Sequence, residues 1–152
     1  MPEPDAFPPA VPPSLGQLLR LLHQRFALSV DVALQEAGHA DLGQFHANVF
    51  SFVPEQGIQV SELAALARVR KQTMAQAVEE LEKWGYVERH PDPADRRGRL
   101  VFLTDKGKTV RPLAMAAGQQ VEKEWASRTS PEQLDQLRTL LQDLFVSLQQ
   151  EQ

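Results

Sequence analysis

Three arginines, Arg96, Arg97 and Arg99, fall within four positions of the segment HPDPADRRGRLVFLTDKG, residues 90–107. Upstream, Arg70 and Lys71 precede Gln72, Thr73 and Gln76 in RKQTMAQAVEELEKW. These residue types suit one chemistry. A guanidinium is planar and weakly hydrated, so it enters a narrow groove where negative potential is strongest. Glutamine pairs bidentately with adenine, and threonine offers a hydroxyl and a methyl to a base edge. Arg70 and Lys71 can neutralise phosphates. Arg70 stands where a helix N-cap is expected, and a cation there is unfavourable by a few tenths of a kcal/mol until a phosphate meets it. Around the arginines, Asp95 is placed to hold the Arg97 guanidinium by a short ion pair, and Gly98 to permit a tight turn. Pro91 and Pro93 restrict the segment before binding and lower its ordering cost.

The elements that position these groups follow from apolar spacing. Leu15, Leu18, Leu22, Phe26, Val30 and Leu34 recur every three or four residues, predicting a helix from Ser14 to about Glu36, ended by Gly38. Leu42, Phe45, Val49 and Phe52 predict another over 41–53, closed by Pro54 and Gly57. A short helix follows at about 60–67, with Glu62 as the acidic half of a capping box and Gln59 a poor cap. Met74, Ala77, Val78 and Leu81 then line one face of a helix from Lys71 to about Trp84, and Gln72, Thr73 and Gln76 the other.

YVERH and LVFLT read as antiparallel strands joined by a turn over 91–98, too few to be stable without the helices beside them. Thr104 caps a helix from Asp105 to about Ser127, in which Pro112 predicts a kink. Ser130, Pro131 and Gln133 open a last helix whose Leu134, Leu137, Leu141, Leu144 and Leu148 make a heptad-like seam. Two heptads need other helices to cover them, from this chain or from a second copy. Two short helices joined by ARVR, a polar face on the second, and a ribbon with a charged tip make a mainly α fold: a winged helix-turn-helix over 41–104 with a small antiparallel β-hairpin wing.

Composition sets the outer limits. The 152 residues fit one domain, with 42% apolar and 24% charged residues typical of a globular protein. The net charge is −4, yet residues 68–99 hold eight Lys or Arg against six Asp or Glu. Screening over roughly 8 Å makes that local surplus the quantity a phosphate meets. The absence of cysteine excludes disulfides, thiolate zinc and cysteine-based redox sensing. Six of eleven prolines fall in residues 1–13, which predicts a disordered or extended tail. Without a signal-like or membrane-length apolar run, a cytoplasmic location is expected. Phosphate-loop and nucleophile-elbow motifs are absent, which disfavours an enzyme. His23, His39, His46 and His90 are too scattered for a metal reading, and no cofactor is expected.

The wing segment resembles the signature of the MarR family of bacterial transcriptional regulators. The pattern Asp-x-Arg-x-x-x-Val-x-Leu-Thr-x-x-Gly is met by Asp95, Arg97, Val101, Leu103, Thr104 and Gly107. ELAALARVRKQTMAQAVEELEKWGYVERH is similar to that family's helix-turn-helix, including Leu63, Ala64, Val78, Leu81, Gly85, Val87 and Arg89. The likeness runs from Ser14 to Leu148 and is strongest from Glu62 to Gly107. It implies a homodimer whose first and last helices interlock, making 14–40 and 105–152 the dimerisation region. It also implies a recognition helix in each of two successive major grooves of a pseudo-palindromic operator, a wing arginine in the minor groove, and repression relieved by a small, often phenolic ligand. Phe26, His46 and Phe50 are the ligand-pocket candidates, equally well explained as core. Arg70, Glu80 and Pro112 depart from the family, which usually has Ser or Asp, a basic residue and an uninterrupted helix there. The alternative is a winged-helix interaction scaffold, or a constitutive DNA binder without sensing.

Overall fold

The computed structural model describes residues 11–150, so most of the expected Pro-rich tail lies outside the described residues. Six helices and one hairpin follow in the order α1 (Leu15–Glu36), α2 (Gln44–Phe52), α3 (Val60–Ala67), α4 (Lys71–Lys83), β1 (Val87–Asp92), β2 (Asp95–Leu103), α5 (Asp105–Arg128) and α6 (Pro131–Gln149). Ser14 opens α1 with a reciprocal cap, accepting from the Gln17 amide at 3.2 Å while its own amide donates to Gln17 Oε1 at 2.8 Å. Thr104 and Ser130 cap α5 and α6 through the amides of Gly107 and Gln133, each at 3.1 Å.

Two boundaries differ from the sequence reading. α2 begins three residues later than Asp41 because Gly43 is extended (φ −140°, ψ −177°) and its amide donates to His46 Nδ1 at 3.2 Å. Leu42 reaches the core from the preceding turn, so its apolar character did not mark a helix. The hairpin is also longer than expected, since pairing continues through Pro91 with Arg99 and closes at Asp92 with Asp95. Pro93 and Ala94 alone remain as the turn, held by the Ala94 amide donating to Asp92 Oδ1 at 2.9 Å. The register shifts between Pro91 and Asp92, where proline brings no N–H to the ladder. α5 continues past Pro112 to Arg128, with Pro112 bringing no N–H to the helix.

The core lies where α2, α3, α4 and the base of the hairpin meet, around the fully buried Val49, Leu63, Met74, Val78, Leu81 and Val101. Ile58 exchanges backbone hydrogen bonds with Val101 at 3.2 and 2.8 Å, giving the hairpin a third paired backbone segment just before α3. α1 and α6 both pack on α5, and α6 buries no residue within the chain. The Arg138 fork joins α6 to α5 by meeting both Glu122 oxygens at 3.3 and 2.9 Å.

One junction fixes α4 against α5. The Tyr86 carbonyl accepts from the Thr104 amide at 3.0 Å, the Gly85 carbonyl from Thr104 Oγ1 at 2.6 Å and the Trp84 carbonyl from Lys106 Nζ at 2.9 Å. Lys106 also stands 4.2 Å over the Tyr86 ring, and the Tyr86 hydroxyl lies 2.8 Å from His39 Nδ1. Gly107 passes so close that an added Cβ would sit 2.1 Å from the Tyr86 carbonyl oxygen. A second polar tie joins α2 to α4. Because His46 Nδ1 accepts from Gly43, its Nε2 carries the hydrogen and donates to Glu80 Oε2 at 2.7 Å.

Gly107→Ala is expected to lower the free energy of unfolding by about 1–3 kcal/mol, measured by urea denaturation, because the new methyl overlaps a backbone oxygen that cannot retreat. Acid sensitivity has a named source. The His46 hydrogen bond holds the Glu80 carboxyl below the ordinary value of 4.5, and the Arg138 fork does the same for Glu122. A carboxyl whose native pKa lies below its unfolded one contributes stability above pH 4.5 that is lost as pH falls through the native value. Glu80→Gln and Glu122→Gln are each expected to flatten the decline of the urea midpoint between about pH 5 and 3 relative to the parent chain.

Candidate nucleic-acid interface

The polar face of α4 is set by what its other face buries. Met74, Ala77, Val78 and Leu81 sink into the core, which leaves Gln72 and Gln76 exposed and Thr73 half-buried at the edge of that face. Arg70 and Lys71 are exposed at its start. Arg70 occupies the N-cap position without a capping hydrogen bond from its side chain, and the first turn contains no acid. The positive end of α4 therefore presents amide donors together with two cations. Arg68 makes the tight turn into this helix in a left-handed conformation (φ 55°), and its Nη2 donates to Gln149 Oε1 of α6 at 3.0 Å. Gln76 is held within its own helix, donating to Glu80 Oε1 at 3.3 Å, so the His46–Glu80 tie extends to the polar face.

The wing arginines lie on strand β2. Strand alternation puts Arg97 and Arg99 on one face and Arg96 on the other. Their side chains are not equivalent. Arg99 Nη2 donates to the Arg89 carbonyl at 3.1 Å, so its charge is turned back onto β1. Among the described residues Arg96 and Arg97 have no side-chain partner and are exposed. The expected pairing of Asp95 with the Arg97 guanidinium is replaced by a backbone contact, since Asp95 Oδ1 accepts from the Arg97 amide at 3.0 Å. The carboxylate shapes the strand entry and leaves the cation free. Gly98 likewise has another role than the expected turn. It lies inside β2, where a Cβ would come 2.7 Å from Gln59 Nε2.

Gln59 was legible only as a poor cap, and the structure shows its use. Its Nε2 donates to Asp92 Oδ2 at 2.7 Å, tying the wing tip to the N-terminus of α3, and this bond with the Ala94 amide holds the Asp92 carboxyl below its usual range. The wing is thereby fixed to the helix pair at both ends, by Ile58 at its base and Gln59 near its tip.

A cleft of about 600 Å³ opens between α1, α2 and α5. Phe26 and Phe50 line it, beside Ala27, Val30, Leu34 and Met115. His46 does not; its Nδ1 accepts from the Gly43 amide and its Nε2 donates to Glu80 of α4. The sequence reading missed Arg111 and Asp31, which do line it. Arg111 reaches from α5 to the end of α2, its Nε donating to the Phe50 carbonyl at 2.7 Å and its Nη2 to the Val53 carbonyl at 2.9 Å. Asp31 was detectable as the lone acid in the apolar run SVDVAL. Three histidines have other work: His39 meets Tyr86, His46 meets Glu80, and His90 Nε2 lies 3.1 Å from Glu88 Oε1. Among the described residues no three His, Asp or Glu side chains converge as a metal site, and no helix is long and apolar enough to cross a membrane.

Comparison with known proteins agrees with this geometry. Residues 43–98 match the model of the MarR family. The transcriptional regulator HosA of Escherichia coli O111:H- is 35% identical over 92 residues, covering 60% of this chain and 62% of that regulator. The chain thus spans about three fifths of the length of the curated relatives it matches. CouR from Rhodococcus jostii RHA1, solved bound to p-coumaroyl-CoA, superposes with a TM-score of 0.66 at 26% identity over 86% of this chain and 91% of CouR. MepR of S. aureus, solved in a DNA complex, has the same fold, with a TM-score of 0.72 at 17% identity over 90% of this chain and 99% of MepR. The segment that matches the MarR family model, residues 43–98, is the one that holds α3, α4 and the wing arginines Arg96 and Arg97.

Proposed function

We propose that this chain is a dimeric, sequence-specific DNA-binding regulator of transcription, a repressor released when a small molecule enters the cleft between α1, α2 and α5. The observation that carries the reading is the rigid union of two DNA-reading features. Among the described residues, Arg96 and Arg97 stand without side-chain partners on a wing that Ile58 and Gln59 fasten to the helix pair, and α4 in that pair exposes Gln72 and Gln76 behind an uncapped, cationic N-terminus. In use, α4 enters the major groove, with Arg70 and Lys71 on phosphates and Gln72, Thr73 and Gln76 at base edges. Arg97 enters the adjacent minor groove, and Arg96 contacts the backbone. Arg99 supports the wing from within and contributes less directly than the other two.

Dimerisation is supported by apolar surface that the single chain leaves uncovered. Leu15 and Leu28 of α1 are each 63% exposed, and Leu140 and Phe145 of α6 are 67% and 62% exposed, far more than a helix packed on both sides retains. A two-fold pair of such chains presents two α4 helices to two half-sites. HosA is named a transcriptional regulator, MepR was solved on DNA and CouR with a small-molecule ligand, which supports the same three elements here.

Binding to a pseudo-palindromic duplex with half-sites about 10 base pairs apart is expected to weaken steeply with salt, measured by fluorescence anisotropy at two ionic strengths. Arg97→Ala is expected to cost about 1–3 kcal/mol of that affinity with the fold intact. Unchanged affinity would remove the wing from the mechanism, and salt-independent binding would favour a protein-interaction scaffold. Sedimentation equilibrium is expected to give twice the chain mass of 17.0 kDa, and Leu144→Glu, on a helix that buries nothing internally, to give the single chain with its helical signal retained.

A further inference from the structure

The cleft between α1, α2 and α5 has a charge balance of its own. Its volume of about 600 Å³ falls within the range of small-molecule sites, roughly 300–1,000 Å³, and its walls are chiefly apolar. Four titratable groups besides the rim residue His23 could meet a ligand's charge: Asp31, Arg111, Glu122 and, through Glu122, Arg138. Three of them already have side-chain or backbone partners. Arg111 is directed at the Phe50 and Val53 carbonyls that close α2, where the negative end of the helix dipole offsets its charge. Glu122 is joined to Arg138 by two hydrogen bonds.

Asp31 is different. It is half-buried on the cleft wall, and among the described residues no cation or hydrogen-bond donor meets its carboxylate. Burial pushes its pKa up from the ordinary value, with no neighbouring charge contributing. A carboxylate partly withdrawn from water and left unpaired is unfavourable, and a positive group delivered beside it removes that cost. An anion at the same place would meet the Asp31 carboxylate, while Arg111 turns its Nε and Nη2 to the carbonyls at the end of α2. The rings of Phe26 and Phe50 on the same walls offer faces or edges to a flat hydrophobic body and can add a cation–π contribution.

We propose that this cleft takes a flat aromatic organic cation, held by the Asp31 carboxylate among Phe26, Phe50 and Val30, in place of the phenolic ligand that the family resemblance implies. As a regulatory ligand it rests on the function proposed above; as a binding specificity it stands on the cleft alone. Bound there, the cation bridges α1 of the dimerisation region and α2 of the DNA-reading lobe, at the wall where Arg111 joins α5 to α2.

Three probes of equal size and different charge test it by isothermal titration into the full chain: 1-naphthylmethylammonium, 1-naphthalenemethanol and 1-naphthoate. The ammonium is expected to bind tightest, and Asp31→Asn to weaken it about tenfold while leaving the neutral alcohol unchanged. Circular dichroism reports whether the variant is folded, and the charge series on the parent chain is decisive without it. Naphthoate binding as tightly as the ammonium, an unchanged ammonium affinity in a folded Asp31→Asn, or no binding by any probe would overturn the proposal. Duplex binding is measured separately. A chain that ignores DNA yet binds the ammonium through Asp31 defeats the regulatory reading and leaves the cation specificity standing. One that binds DNA but prefers naphthoate overturns the cation specificity alone.

Discussion

The arrangement depends on how the C-terminal end of α4 is closed. Trp84, Gly85 and Tyr86 present consecutive carbonyls where the helix has run out of its own donors, and all three are met from the start of α5, by Lys106, Thr104 Oγ1 and the Thr104 amide. The carbonyl of the buried Tyr86 would cost about 1–3 kcal/mol if left unpaired. Lys106 adds a cation at the negative end of the α4 dipole, and the phenol it covers reaches His39 in the turn before α2. One buried tyrosine therefore connects α4, the wing's first strand, the long helix α5 and the turn after α1. The direction of α4 relative to α5 is fixed by hydrogen-bond geometry at this point, and the apolar core behind it fills the space so defined.

Much of this was legible in the residues. Helix periods, the Ser14, Thr104 and Ser130 caps and the buried face of α4 follow from local spacing, because each is decided within one or two turns. The positions of Arg70, Lys71, Gln72 and Gln76 on the outward surface follow directly from that periodicity. What spacing does not encode is the partner a side chain finds across the fold. Asp95 is two residues from Arg97 and reads as its ion pair, yet backbone curvature at the strand entry gives its oxygen to an amide. Gly98 reads as a turn residue, yet it is small because Gln59 crosses over it. His46 reads as a pocket residue because it shares a helix with Phe50, but its face of α2 points to Glu80. The start of α2 was misplaced for a related reason: Leu42 is buried from an extended turn, and burial carries no helical period there.

Arg111 and Asp31 show the same limit in the cleft. A lone arginine before a proline and a lone aspartate in an apolar run are each unremarkable in sequence. In the fold they stand on two helices facing α2, one with its charge engaged and the other without a partner. Glu80, at a position where the resemblance implies a basic residue, becomes intelligible in the same way, since the imidazole it receives comes from another helix.

The fastening of the wing at both ends has a geometric result. With Ile58 paired to Val101 at the base and Gln59 bonded to Asp92 near the tip, the hairpin moves with α3 and α4 as one piece. In the DNA complex proposed above, the distance between the helix in one groove and the arginine in the next is then set by the protein like the jaws of a fixed gauge. On that proposal, duplex that departs from the pitch must twist to fit, so local helical winding enters the choice of site alongside the bases themselves.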